Sequence, residues 1–413
     1  MHQWRVICVL ALVAMAGCGY GSEGGEGSRT LNWYAYNEPG GSFDEIAKKC
    51  SDQSGGKYKI NVVKLPQDAD QQRELLVRRL AAEDSDIDLM TMDVIWTAEF
   101  AQAGWVREWK GDDAEAARKG RIPSLVRTAE YKDKLWAAPF TTNTQLLWFN
   151  KDIVKGKPPE TWDEMFKQSE QLGDKGTIEV QAARYEGLTV WFNALIASQG
   201  GQIVDESGKA KVDDSAARAG AIMKRLATGN SAPEGLNNMK EDQARLEFQS
   251  GNSAFQINYP FIYASAGEEA PDFQKKIGFA RYPAVEKGRK SAPPIGGFNI
   301  GVGKFSKNPE VAFEAGQCLA SSDSQLIANA KGGLPPTTEA LFTSKEVEKA
   351  YPGFAKLMRE SLKDGKPRPA TPAYNDVSLA VQATLHPIGN IVPDQVPADL
   401  RDKLKTVDEG GIF

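Results

Sequence analysis

The chain has 413 residues, length for about two or three domains, and its 50 Lys and Arg against 55 Asp and Glu leave a formal charge of −5. Without a basic excess, a nucleic-acid footprint is excluded. There are two histidines, His2 and His386. That excludes a multi-histidine metal site and most histidine-based triads, leaves carboxylate, amide and aromatic chemistry, and gives no reason to expect a cofactor.

Residues 6–16 are apolar but too short to span a bilayer, which takes roughly 20 residues. They lead into Met15-Ala16-Gly17-Cys18 and then a Gly/Ser/Glu-rich stretch. The pattern predicts a lipoprotein export signal: residues 1–17 are removed, the Cys18 thiol is lipidated, and residues 18–29 form a flexible tether. An ordinary secretory signal that happens to precede a cysteine is the alternative. Cys8 leaves with the signal, so Cys50 and Cys318 remain in the body. An exported pair suggests one disulfide, two buried free thiols being the other reading.

Residues 31–36 read as a strand, broken by Pro39-Gly40-Gly41. Ser42 with Glu45 has the form of a capping box that opens a helix. Phe43, Ile46, Ala47 and Cys50 recur at helical spacing, which puts Cys50 on the buried face. Residues 60–63 and 87–92 read as strands around a helix over 71–82, the second ending at Asp93. This alternation predicts an α/β lobe with a largely parallel sheet.

Beyond Pro139, the polar run 140–145 leads into an apolar strand, 146–149. Thr161 and Glu164 open another helix. Leu188, Trp191, Phe192, Leu195 and Ile196 form a helical stripe stopped by Gly200-Gly201, so Trp191 is expected in a core. A polar helix over about 241–249 precedes a strand at 255–258. Residues 296–302 are strand-like, and Asn308-Pro309-Glu310 opens a helix on which Val311, Ala315, Cys318 and Leu319 share one face. No internal repeat is evident.

Three segments, in this order and spacing, resemble the extracellular solute-binding proteins of carbohydrate ABC importers, the maltose-binding-protein-like group. They are Leu146-Leu147-Trp148-Phe149-Asn150-Lys151-Asp152-Ile153 with the Pro158-Pro159-Glu160-Thr161-Trp162 that follows, residues 248–257, and Gly296-Gly297 with Ser306-Lys307-Asn308-Pro309-Glu310. Residues 92–100, 140–145 and 368–372 are similar to the trehalose receptors of actinobacteria within that family. Tyr259 stands where those receptors are expected to carry tryptophan.

The resemblance implies an α/β, two-lobed, periplasmic-binding-protein-like fold with a ligand cleft between the lobes. The chain would cross between lobes near 141–145, 294–297 and 351–353. That gives a first lobe of 30–141 and 297–352, holding both Cys50 and Cys318, and a second of 142–296 and 353–413. The implied function is a monomeric, lipid-anchored, non-catalytic receptor that captures a disaccharide, trehalose before maltose or sucrose, and delivers it to ABC permease and ATPase subunits.

A sugar offers hydroxyls and apolar C–H faces, so its site needs carboxylates, amides, arginine and aromatic rings. Asp93 follows the carboxyl end of a strand, where open α/β sheets bind ligands; a helix cap is its alternative role. Asn143 falls in the first expected crossing, or stabilises a turn there. Glu241 matches the acidic ligand of the trehalose receptors, though acids are common at helix starts. Tyr259 precedes Pro260 after a strand and offers a ring to a sugar face, or packs in a core. Gly297 would let its backbone N–H approach a hydroxyl. Arg368 lies between Pro367 and Pro369, displayed from a stiff loop toward the cleft or plain solvent. Asn37 and Glu38 follow the first strand and complete the set. An exported glycoside hydrolase is the rival reading, needing two carboxylates roughly 5–9.5 Å apart, a pair that nothing in the sequence singles out. A surface adhesion module without a small ligand is a third.

Overall fold

Strand pairing divides the protein in two. Residues 28–205 and 208–408 are described by a computed structural model; Cys18, the export signal and most of the tether lie outside them. In the first lobe a six-stranded sheet is built around Arg29–Tyr36, which pairs in parallel with Tyr58–Leu65 and Leu89–Asp93. Pro294–Val302 runs antiparallel to Leu89–Asp93 and carries Ala138–Asn143 and Lys366–Pro367.

Both faces of this sheet are covered. Leu31, Trp33 and Ala35 pack with Phe43, Ile46 and Cys50, while Tyr34 packs on the other face with Leu76, Leu80 and Met92. The second lobe has a four-stranded sheet in the order Ile277–Ala280, Leu146–Asn150, Phe255–Asn258, Ile178–Glu179. Leu147 and Ile257 face the helix Glu186–Ala197, whose Trp191 is in the core as expected. Leu146 and Trp148 face the opposite layer with Phe248 and Ile262.

Only Thr144 and Gln145 separate a strand of the first sheet from one of the second. Phe342, Val347 and Tyr351 share a core with Leu146 and Trp148 of the second lobe, while the Tyr351 hydroxyl donates to the Gly333 carbonyl at 2.7 Å. The short helix Lys345–Ala350 and the next, Ala355–Asp364, turn their apolar sides into that one core. The Tyr351 ring stacks on Phe354 at 4.8 Å.

Cys50 and Cys318 are disulfide-bonded, joining the helices Ser42–Gln53 and Pro309–Leu319 of the first lobe. Cys50 is buried. Cys318 is half-buried, because the inward face of its helix is Ala312, Ala315, Gly316 and Leu319, and Val311 and Cys318 lie beside that face. The Ser42–Glu45 capping box is not formed either. Gly41 is the N-cap, Glu45 pairs with Lys331, and the Glu38 carboxylate accepts from Ser42 N–H at 2.8 Å and Ser42 Oγ at 2.7 Å. Thr161 does cap its helix, accepting from Glu164 N–H at 3.1 Å. Among the described residues, no helix is long and apolar enough to cross a membrane.

Candidate ligand-binding site

A cleft of about 390 Å³ lies between the lobes and takes its walls from both. Asn37, Glu38, Asp93, Asn143, Glu241, Tyr259, Gly297 and Arg368 all line it. The strand geometry explains much of this. Arg29–Tyr36 and Leu89–Asp93 are parallel, so their carboxyl ends deliver Asn37 and Asp93 to the same edge of the sheet. Antiparallel Pro294–Val302 brings its opposite end, Gly296 to Phe298, to that edge.

Asp93 accepts from Ile95 N–H at 3.2 Å and from Arg368 Nη2 at 2.9 Å, so it caps the turn and holds the arginine at once. Arg368 follows the short strand Lys366–Pro367 and lines the cleft, but it is not displayed to solvent. It is 5% exposed, and its Nη1 donates to Glu186 at 2.6 Å. The short strand Lys366–Pro367 adds to the first sheet, which draws the next residue inward between Asp93 and Glu186. Burial alone would weaken the guanidinium's charge; Asp93, Tyr374 and Glu186 outweigh it and hold Arg368 protonated. Glu186 also accepts from Tyr374 OH at 2.6 Å and Ser378 Oγ at 2.5 Å.

Glu241 is half-buried at the start of the helix Glu241–Gln249. Burial raises its carboxyl above the ordinary range, and the nearby Tyr185 hydroxyl opposes the rise. Tyr259 is half-buried and open to the cleft. Burial raises its phenol, while Arg368 draws it down. Asn143 uses its Oδ1 to hold Thr144 N–H at 3.1 Å and has no other side-chain partner among the described residues, so its amide nitrogen is left to the cleft.

Two members of the set have structural duties that were not expected. Both Glu38 oxygens are taken, one by Gly40 N–H and the other by Ser42, so the carboxylate shapes the wall. Gly297 has φ 123°, and a Cβ there would lie 2.3 Å from the Thr141 carbonyl oxygen. Close strand pairing is what demands glycine at this position.

Sequence reasoning missed several lining residues. Tyr36 and Phe298 stack at 4.7 Å and form an aromatic wall; the strand-end rule that selected Asp93 applies equally to Tyr36. Tyr185 and Glu186 open an otherwise apolar helix, and an acid at the head of such a helix was the available signal. Asp68 and Lys240 form an ion pair from one lobe to the other, and Glu186 N–H donates to Asp70 at 3.2 Å across the same gap. Together these groups can pair the hydroxyls of a polyol and cover its apolar faces.

The profile of the bacterial extracellular solute-binding protein family matches residues 35–326. The chain is 31% identical over 373 residues to a probable ABC transporter-binding protein of Deinococcus radiodurans, covering 86% of this chain and 88% of that protein. It is 22% identical over 403 residues to the galactooligosaccharide-binding protein of Bacillus subtilis, covering 93% and 91%. Among solved structures, maltose-bound T. maritima MalE3 superposes with a TM-score of 0.85 at 25% identity, covering 92% of this chain and 100% of that one. The GacH receptor of Streptomyces glaucescens superposes with a TM-score of 0.82 at 19% identity, covering 93% and 99%.

Proposed function

This chain belongs to the bacterial extracellular solute-binding proteins, and from that premise we propose that it is the lipid-anchored receptor of an ABC sugar importer. It captures a disaccharide by lobe closure, trehalose before maltose or sucrose, and hands it unchanged to the permease and its ATPase. One observation carries the reading: a single cleft gathers hydrogen-bonding groups and aromatic faces from both lobes. Its volume lies at the lower end of the roughly 300–1,000 Å³ of ligand pockets, which suits a short saccharide.

In this reading Asp93, Arg368, Glu241 and Asn143 bond the sugar hydroxyls. Tyr259 faces one ring of the sugar, and stacked Tyr36 and Phe298 the other. Asn37 and the Gly297 backbone contribute at the edge. Glu38 builds the wall. The preference for trehalose rests on the resemblance of residues 92–100, 140–145 and 368–372 to trehalose receptors. Lipid on Cys18 would keep the receptor beside its permease as a monomer.

A thermal-shift screen over trehalose, maltose and sucrose tests this. A specific ligand raises apparent stability by about 2.7 kcal/mol at a hundred times its Kd. Trehalose is expected to give the largest shift, with no glucose released on incubation. Released glucose would favour the hydrolase, and the absence of any shift would end the sugar-receptor reading.

A further inference from the structure

The helix Ala69–Ala81 of the first lobe points its start at the second lobe. Asp68, its N-cap, pairs with Lys240, which also lies over the Tyr185 ring at 5.1 Å. Asp70, in the first turn, accepts from Glu186 N–H at 3.2 Å. The two contacts differ in charge. Lys240 answers Asp68 and Arg368 answers Glu186, but Asp70 has no cation partner among the described residues. Asp70 is not among the cleft-lining groups either, although its neighbours Asp68 and Gln72 are.

We propose that the Asp70–Glu186 contact is a proton-linked latch between the lobes: closing the cleft places Asp70 in protonated form against the Glu186 helix, and opening it releases that proton. The proposal rests on closure being the act of sugar capture. The groups acting on Asp70 are Asp68 on its own helix, Glu186 across the gap and Gln382 from the helix Tyr374–Leu385; the nearby cation Lys240 is engaged with Asp68 and lies over the Tyr185 ring. Burial beside Glu186 and Asp68 pushes the Asp70 carboxyl up to about 7, with the Glu186 N–H and Gln382 opposing. In an open cleft the same group meets water and returns to an ordinary aspartate value near 3.9.

The sign follows. Below about pH 4 Asp70 is neutral in both states and closure loses nothing. As pH rises toward 7 the open state ionises first, so closure is progressively disfavoured; above 7 the effect is flat. Glu186 has two links to this switch, because its backbone holds Asp70 while its carboxylate holds Arg368 in the cleft wall.

Calorimetry with trehalose, maltose and sucrose between pH 5 and 7.5, in two buffers of different ionisation enthalpy, tests the latch on wild type and Asp70→Asn. Wild-type affinity is expected to fall roughly tenfold or more over that range, with proton uptake on binding near pH 6. Asp70→Asn should lose both the slope and the uptake. A wild-type affinity flat in pH, or a slope that survives in Asp70→Asn and so belongs to Glu241 or another acid, overturns the latch. Small-angle scattering of the ligand-free protein decides it separately. Wild type should be more compact at pH 5 than at pH 8 and Asp70→Asn alike at both; an unchanged wild type, if no sugar binds, overturns it. Failure of all three sugars to bind refutes the sugar reading, while the scattering still judges the latch.

Discussion

Arg368 Nη2 lies 2.9 Å from Asp93 Oδ1, joining two residues 275 positions apart at the base of the cleft. Both side chains are withdrawn from solvent, at 3% and 14% exposure, and Glu186 closes the arginine's other side. The pair therefore ties together parts of the chain that form the cleft wall.

Arg368→Lys removes the planar fork that reaches both carboxylates while keeping a charge. Sugar affinity is expected to drop about 10- to 150-fold, the equivalent of about 1.5–3 kcal/mol, by calorimetry on folded protein. Arg368→Ala should also destabilise the fold, by about 3–5 kcal/mol in denaturant melts, because it strands the buried Glu186 carboxylate and removes the cation beside half-buried Asp93.

Tyr259→Ala is expected to weaken binding by about 0.5–1.5 kcal/mol, since it takes the ring from one sugar face. Tyr259→Trp should keep that face and bind within a few-fold of wild type. Glu241→Gln retains the shape but not the charge, and should lose affinity about tenfold or more. Equal Kd values across the three variants would move the sugar away from this side of the cleft.

The Cys50–Cys318 bond closes a loop of 268 residues. The chain-entropy account gives about 5 kcal/mol for such a loop, an upper figure. Reductant should lower the unfolding midpoint of wild type and leave Cys50→Ser/Cys318→Ser unaffected. Peptide mapping without reduction should recover the two cysteines joined.

Glu179 is buried in the second lobe, and its Oε1 accepts from Ser253 Oγ at 2.6 Å. Its other oxygen and both amide atoms of Gln256, its partner across the strands, are buried without partners among the described residues. Burial pushes its carboxyl up to about 7. The acid is raised in the fold, so its contribution is fully present below about pH 4.5, is lost as pH climbs to about 7, and is constant above. Wild type should lose up to about 3 kcal/mol of stability over this window. Glu179→Gln should be flatter in the same pH series of melts.

Local signals carried much of the fold into view. Strand ends, glycine stops and the apolar stripe through Trp191 are properties of a few neighbouring residues, and strand ends pointed to Asp93 and Tyr259 as candidates, while Asn143 came from the crossing that the family resemblance implies. Features that depend on distant partners were not legible. Arg368 reads as displayed from a stiff loop, toward the cleft or solvent, because nothing local announces that Asp93 and Glu186 will enclose it. The Ser42–Glu45 pattern was sound as chemistry, but Glu38 reached the helix start first. Cys318 sits beside the inward face because the pattern starting at Val311 is one residue out of phase with the one the helix buries. Asp70, Glu186 and Lys240 acquire a role only when two lobes meet, and no spacing along the chain encodes that meeting.

The measurement that bears most directly on the central claim is calorimetric titration of the purified protein with trehalose, maltose and sucrose, for wild type and Asp93→Asn. Saturable one-to-one binding is expected, tightest for trehalose and weakened about tenfold or more in Asp93→Asn. No binding of any of the three sugars would contradict the receptor reading, and equal binding by wild type and Asp93→Asn would contradict this cleft as the place where the sugar is held.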